Sequence, residues 1–454
     1  MLTLSYAAAS AAMFATALYF LLRLRFYITT TTMFVGSLLL VYGPASLSFS
    51  LSSGEYGFLI RSLTGDIGVP ASMFPTMKTT IGDLDPIIVT VNFSLALMYL
   101  SVILGIEGIN RLCPALTART EAALERWGKQ SVEDDVSDHR LLLVVVSASF
   151  LLMLFYSIEE NHIGTIDHFF SIKDDNTARN LFRAKFGGSP SYLYRVVLSA
   201  LAPMLVIWGL LAGLLRRSWP LLVAACLLFL VTMVGKIETL SKAPPAFFLI
   251  QIMLAALLVR TNKIAWRTGV ASAVVVAAVI YVTTRLIIMF PPGASVIEAV
   301  YSRVFEVENE TLIENFAVFP RLHPFMWGNN LRPIAMWNGV PYVPAFNIVG
   351  YIWYGSHDIT SPSLFIADAW ADFSYAGVIV YSAIAGALCR IFDIAFLSRG
   401  KSITGIAVLG ATLVGVLTLL TTALNIALVT GGLLLAPLLA GAIVLASGRF
   451  NRAA

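Results

Sequence analysis

A chain of 454 residues in which 58% are hydrophobic and only 12% charged carries more apolar side chain than a soluble fold of that length can hide. Together with a mean hydropathy of +0.82, this excludes a nucleic-acid module, a disulfide scaffold and a disordered chain, and it predicts an all-α, polytopic membrane helix bundle. The net charge of +4 is what Lys and Arg anchors on one membrane side supply, so it implies no acidic macromolecular partner, and Cys113, Cys226 and Cys389 lie far apart and read as structural.

In chain order, apolar runs predict eleven spans at roughly 3–22, 27–50, 86–108, 141–158, 194–215, 218–235, 245–260, 268–290, 364–396, 403–425 and 427–447. Basic residues gather in alternate connections: Arg23 and Arg25, then Arg111, Arg119, Arg126, Lys129 and Arg140, then Arg216 and Arg217, then Arg260, Lys263 and Arg267, then Arg399 and Lys401, and last Arg449 and Arg452. The positive-inside rule makes those connections cytoplasmic, which leaves the N-terminus outside and the C-terminus inside. No basic n-region opens the chain, so no cleaved signal peptide is expected. One integral membrane domain over 1–454 follows, with an inner loop at 109–140 and outer segments at about 51–85, 159–193, 236–244 and 291–363. The inner loop begins as a charged helix and ends in a polar, acidic run expected to stay solvated. Neither a fixed-period repeat nor matched halves with broken helices are evident.

Positive charge on the outer side opposes the topology rule and needs a separate reason. Lys173, Arg179, Arg183, Lys185 and Arg195 belong to the second outer segment or just follow it, Lys236 and Lys242 to the third, and Arg285, Arg303, Arg321 and Arg332 to the surroundings of the fourth. Arg285 lies inside the apolar run TTRLIIMF, where an ionised group costs on the order of 1 to 3 kcal/mol unless it snorkels or is paired. It either snorkels or joins the other cations around an anionic headgroup, since guanidinium forks suit a lipid diphosphate.

The fourth outer segment opens with VIEAVYSRVFEVENETLIENF, in which Ile297, Val300, Tyr301, Val304 and Phe305 recur at helical spacing and predict an interfacial amphipathic helix. Glu306, Glu310 and Glu314 stack on another face, expected to be wet, while Arg303 sits beside the apolar stripe. The stretches that follow, FAVFPRLHPFMWGNNLRP and MWNGVPYVPAFNIVGYIWYG, hold His323 and Trp327 and suit either a saccharide platform or an aromatic belt. The ninth span begins SPSLFIADAWADFSYAG, with Asp368 and Asp372 at i and i+4 on one face of its outer half. Pairing with the outer cations is the expected compensation, in a structural or a proton-transfer role.

Two further patterns are weaker. EENHIGTIDH contains Glu159, Glu160, His162, Asp167 and His168 but matches no standard zinc spacing. Asp83 and Asp85 in IGDLDP suit a cation-dependent sugar transferase or the capping of the next helix. Gly-rich phosphate loops, G-x-S-x-G elbows and H-E-x-x-H motifs are absent from the chain.

The topology, YSRVFEVENETLIENFAVFPRLHPFMWGNN and PSLFIADAWADFSYAGVIVY together resemble the Wzy-type oligosaccharide repeat-unit polymerases of bacterial O-antigen and exopolysaccharide assembly. In that family an Arg early in the large outer loop precedes an aromatic, Gly-containing stretch and then a small-acidic-x-x-acidic/Asn-Phe-Gly helix. Here the position after the Phe is Ser374, and Gly377 follows three residues later. The resemblance implies a GT-C-like glycosyltransferase of the bacterial inner membrane, with a periplasmic N-terminus, a cytoplasmic C-terminus and a large periplasmic loop at 291–363. Undecaprenyl diphosphate-linked oligosaccharides are the implied donor and acceptor, without metal or other cofactor, and a chain-length regulator is an implied protein partner. The family's arginine maps to Arg303 and its acidic pair to Asp368 and Asp372. Joined to the residue reading, this assigns catalysis to Arg303 with Asp372 or His323 as base, and substrate binding to Arg285, Arg195, Lys236, Lys242, Arg321, Asp368 and Trp327. An O-antigen ligase is the nearest alternative, and a lipid-linked oligosaccharide flippase the alternative of another class.

Overall fold

The computed structural model describes residues 1–51, 85–136, 139–159, 192–238, 243–263, 274, 278, 307–355 and 361–453. Among them the chain is helical, with two isolated backbone bridges, Tyr27 with Lys263 and Glu133 with Ser402, as its only extended pairing. Six helices are long and apolar enough to cross a membrane: α1 (Leu2–Leu24), α3 (Asp85–Leu112), α5 (His139–Glu159), α6 (Tyr192–Arg216), α7 (Trp219–Glu238, apolar to Ile237) and α12 (Phe365–Leu397). Four other expected spans are shorter apolar stretches, in α2 (Thr30–Leu51), α8 (Ala243–Arg260), α13 (Ile403–Leu419) and α15 (Leu435–Ala453). The span expected at 268–290 lies outside the described residues.

The expectation of two uninterrupted final spans needs correction. After α13 the chain turns at Leu420–Ala423, forms the short helix α14 (Leu424–Val429) and turns again before α15. The second turn contains Gly432 at φ +80, a left-handed conformation that side chains with a Cβ rarely adopt. Apolar composition does not distinguish this re-entrant turn from continuous helix, because both bury their residues.

Two apolar cores lie side by side. One gathers α1, α2, α3 and α12, together with α9 (Val307–Val318); the other gathers α5, α6, α7, α8 and α13. The tightest crossing is that of α3 with α12, where a Cβ on Gly105 would press into the Ala383 carbonyl and one on Gly386 into the Val102 carbonyl. Small residues let helix backbones approach where lipid supplies no hydrophobic drive for association.

Among the described residues, the connections that carry Arg25, Arg216, Lys263 and Lys401 meet at one end of the bundle. The segment after α3 straps them together through α4 (Pro114–Arg126) and the residues after it. Glu125 faces Arg25 at 3.4 Å, Asn262 donates to the Leu124 carbonyl at 2.9 Å, and the Trp127 indole donates to the Leu258 carbonyl at 2.9 Å. Of the acidic run expected to be solvated, Glu133 is exposed, but Asp134 and Asp135 are partly buried and bonded. Asp134 pairs with Arg216 and His139, the Glu133 backbone bonds to Lys401 and Ile403, and Asp135 accepts from Thr404 N at 3.1 Å and Thr404 Oγ1 at 2.8 Å. Asp134 and Asp135 neutralise an arginine and cap α13, which costs less than leaving those donors unpaired. The opposite end carries α9, α10 (Arg332–Trp337), α11 (Ala345–Tyr354), α14 and the starts of α3, α6 and α12.

Candidate functional site

At that opposite end α12 is broken. Phe373 (φ −135, ψ 21) and Ser374 (φ 56, ψ −146) leave helical geometry, separating Phe365–Asp372 from the rest of the helix. The position where the resembled family carries Gly therefore takes up a glycine-type conformation. A break frees carbonyls, and the loop 326–331 supplies their donors: Met326 N to Ala371 O at 2.8 Å and Trp327 N to Asp372 O at 3.1 Å.

The same loop holds the acidic pair. Asp372 Oδ1 accepts from Gly328 N at 3.0 Å and Asn330 N at 3.3 Å, while its Oδ2 accepts from Tyr381 OH at 3.3 Å. Asp368 Oδ1 accepts from Asn330 Nδ2 at 2.7 Å, and Asn330 Oδ1 accepts from Ala345 N at 2.8 Å at the start of α11. Both carboxylates are buried. The expected pairing with Arg or Lys is absent among the described residues; neutral donors stabilise the oxygens instead, two of them main-chain amides.

Beside the pair lies a cavity of about 890 Å³ between α6, α10 and α14. Arg195 and Arg332 share its wall with Tyr192, Tyr194 and Tyr342, against an apolar side that includes Leu198 and Ile426. Tyr342 connects cavity and pair. Its phenol is pushed above the usual tyrosine range, first by burial, then by the Asp368 charge and more weakly by that of Asp372, with Arg332 opposing. The cleft is thus lined by two guanidinium groups, tyrosines and an apolar wall, and Tyr342 couples it electrostatically to the two carboxylates, a mixture suited to an amphiphile with an anionic head.

The other expected site residues are placed differently. Lys236 is buried in α7 with its ammonium 5.6 Å from the centre of the Phe248 ring and does not line this cavity. Arg321 is exposed, and His323 sits edge-on to Phe319 at 5.3 Å with Nδ1 2.8 Å from the Pro324 carbonyl; neither lines the cavity. Trp327 is 67% exposed next to the helix break, 6.4 Å from the Phe373 ring. Arg303, Arg285 and Lys242 lie outside the described residues, as do Lys173, Arg179, Arg183, Lys185, Asp83 and Glu306. So does EENHIGTIDH beyond Glu159. Asp85 stands in the first turn of α3, where its charge favours the positive helix end.

Three features escaped the sequence reading. Asn330 is buried and committed to Asp368 and Ala345. The start of the aromatic stretch is core: Phe316 stacks on Trp370 at 4.8 Å, and the Phe319 carbonyl accepts from the Trp370 indole at 2.9 Å. Trp337, 91% exposed, joins Trp327 on the open side. The glutamate face of α9 is buried rather than wet at Glu310 and Glu314, because α9 packs among α3, α11 and α12. Glu314 accepts from the Ser361 hydroxyl and from Tyr354 OH at 3.1 Å, tying α9 to α11 and to the approach of α12. Burial pushes its carboxyl up to about 7, against the opposing hydrogen bonds from Ser361 and Tyr354.

No family model matches the chain, and neither a curated protein nor a solved structure matches it.

Proposed function

We propose that the protein is a membrane glycosyltransferase of the Wzy polymerase type, which joins lipid diphosphate-linked oligosaccharide repeat units at the outer face of the membrane. The observation that carries this reading is the cavity shared by Arg195 and Arg332 next to the Asp368–Asp372 pair. In the proposed reaction an acceptor hydroxyl oxygen attacks the donor's anomeric carbon, the carbon–oxygen bond to the diphosphate breaks, and the diphosphate leaves with both bonding electrons. Arg195 and Arg332 stabilise the charge that develops on it, joined by Arg303 and Arg285 on the strength of the family resemblance. The acceptor proton passes to a basic side chain, the Asp372 carboxylate being the first choice and the His323 imidazole the second. Trp327 and Trp337 offer exposed aromatic faces for sugar rings beside the site. The α13 segment Ile403–Leu419 carries no ionisable side chain, which favours surface chemistry over the flippase reading, since a flippase calls for a polar path through the bundle.

The test is to incubate purified full-length protein with a defined undecaprenyl diphosphate repeat unit, with and without chelator, and to resolve products by length. Products of two or more repeat units that survive chelation, and that fall about a hundredfold in Arg195→Ala/Arg332→Ala, are expected. Transfer to a lipid A core acceptor alone replaces this reading with the ligase; unaltered polymer from the double variant removes the cavity from the mechanism.

A further inference from the structure

A second polar cleft lies at the basic end, far from the acidic pair in the fold. Its volume of about 50 Å³ holds a few water molecules or one phosphate-sized group, and it is walled by α1, α3, α4 and α12. Three guanidinium groups and three carboxylates line it: Arg23, Arg25 and Arg390 with Glu107, Glu121 and Glu125. Arg390 belongs to a membrane-crossing helix and is only 5% exposed. Its Nε donates to Asn110 Oδ1 at 2.6 Å, and its terminal nitrogens have no hydrogen-bond partner among the described residues. Asp393, one helical turn on, balances its charge, and the terminal nitrogens face the cleft, where a ligand oxygen can accept from them.

The backbone is shaped to serve this cleft. The last residues of α1, Phe20–Leu24, widen into a π-turn, and Arg25 and Phe26 follow at φ 51 and φ 58, left-handed positions unfavourable for side chains with a Cβ. That turn brings both Arg23 and Arg25 to the cleft wall. Their ionic contacts are long and single: Arg23 to Glu107 at 3.8 Å and Arg25 to Glu125 at 3.4 Å. Leu22, also on the wall, is 62% exposed, and Leu112 and Leu116, at the end of α3 and the start of α4, are exposed as well. An apolar flank belongs to a ligand with hydrocarbon chains, and equal numbers of cations and carboxylates belong to a ligand bearing both charges.

We infer that this cleft binds a primary-amine phospholipid from the leaflet at the basic end, with the phosphate seated in it on Arg390, Arg23 and Arg25 and the ammonium outside, on the exposed rim carboxylates Glu121 and Glu125. A primary ammonium donates hydrogen bonds to carboxylates, whereas a quaternary one does not, which sets the expected selectivity. The lipid closes the seam between α1 and α4 and supplies the acceptor that Arg390 lacks.

Delipidated full-length protein in detergent, titrated with phosphatidylethanolamine, phosphatidylcholine or phosphatidylglycerol and read by native mass spectrometry, tests this. Retention of phosphatidylethanolamine should exceed that of the other two about fivefold, and Arg23→Gln and Glu121→Gln should each lower it about threefold. Both substitutions are at the rim, so folding is preserved even if Arg390→Met, beside buried Asp393, fails to express. Equal retention of the three lipids, or unchanged retention in both rim variants, overturns the inference. Displacement of the lipid by inorganic phosphate or glycerophosphoethanolamine at matched concentration overturns its lipid part and leaves a free-anion site.

Discussion

Glu314 offers the most quantitative handle on the site, because its burial converts pH into stability. Its carboxyl sits at about 7 in the folded protein against an ordinary 4.5, so the folded state holds a proton that the unfolded chain releases between those values. The sign follows: the stabilisation is complete below pH 4.5 and is lost as pH rises through 7, a difference on the order of 3 kcal/mol. Glu314→Gln removes the titration while leaving an oxygen to accept from one of Ser361 and Tyr354 and an amide nitrogen to donate to the other's hydroxyl oxygen. Thermal unfolding at a fixed scan rate from pH 5 to 8 should show the wild-type midpoint falling by a few degrees, with a flatter profile in the variant. Parallel profiles would refute the assignment, because the pH dependence would then reside elsewhere. The same substitution should leave the acidic pair's geometry intact, since Glu314 bonds to Ser361 and Tyr354 rather than to Asp368 or Asp372.

Ser374→Gly should raise stability by about 1 kcal/mol, the relief of a Cβ at φ 56 outweighing the extra freedom of the unfolded chain, and Ser374→Val should lower it; unfolding midpoints of the pair give the comparison. At Gly377 a Cβ would press into the Ala369 carbonyl, so Gly377→Ala should abolish accumulation of folded protein in the membrane, measured by detergent extraction and gel filtration. Asn330→Leu leaves a buried Asp368 oxygen and the Ala345 amide without their partners, for a loss of about 2 to 4 kcal/mol and of any activity that depends on the pair. If Asn330→Leu melts with the wild type, Asn330 is not the residue that holds the pair.

The apolar membrane-type composition and the helical architecture follow from the chain alone, because each depends on a local quantity: apolar run length or helical period. The Asp368–Asp372 pair was legible for the same reason, since i and i+4 share a face in any helix. What compensates the pair was not legible. The donors on Asp372 include the main-chain amides of Gly328 and Asn330, some forty positions earlier, and main-chain groups leave no residue-type signature. Only tertiary structure joined Arg195 to Arg332 across one cavity, assigned Asn330 to Asp368, and turned Glu314 from an apparent water-facing ladder into a buried anchor. Periodicity shows which side chains share a face; it does not show whether protein or water covers that face, and in a membrane bundle that choice is made by helices distant in sequence.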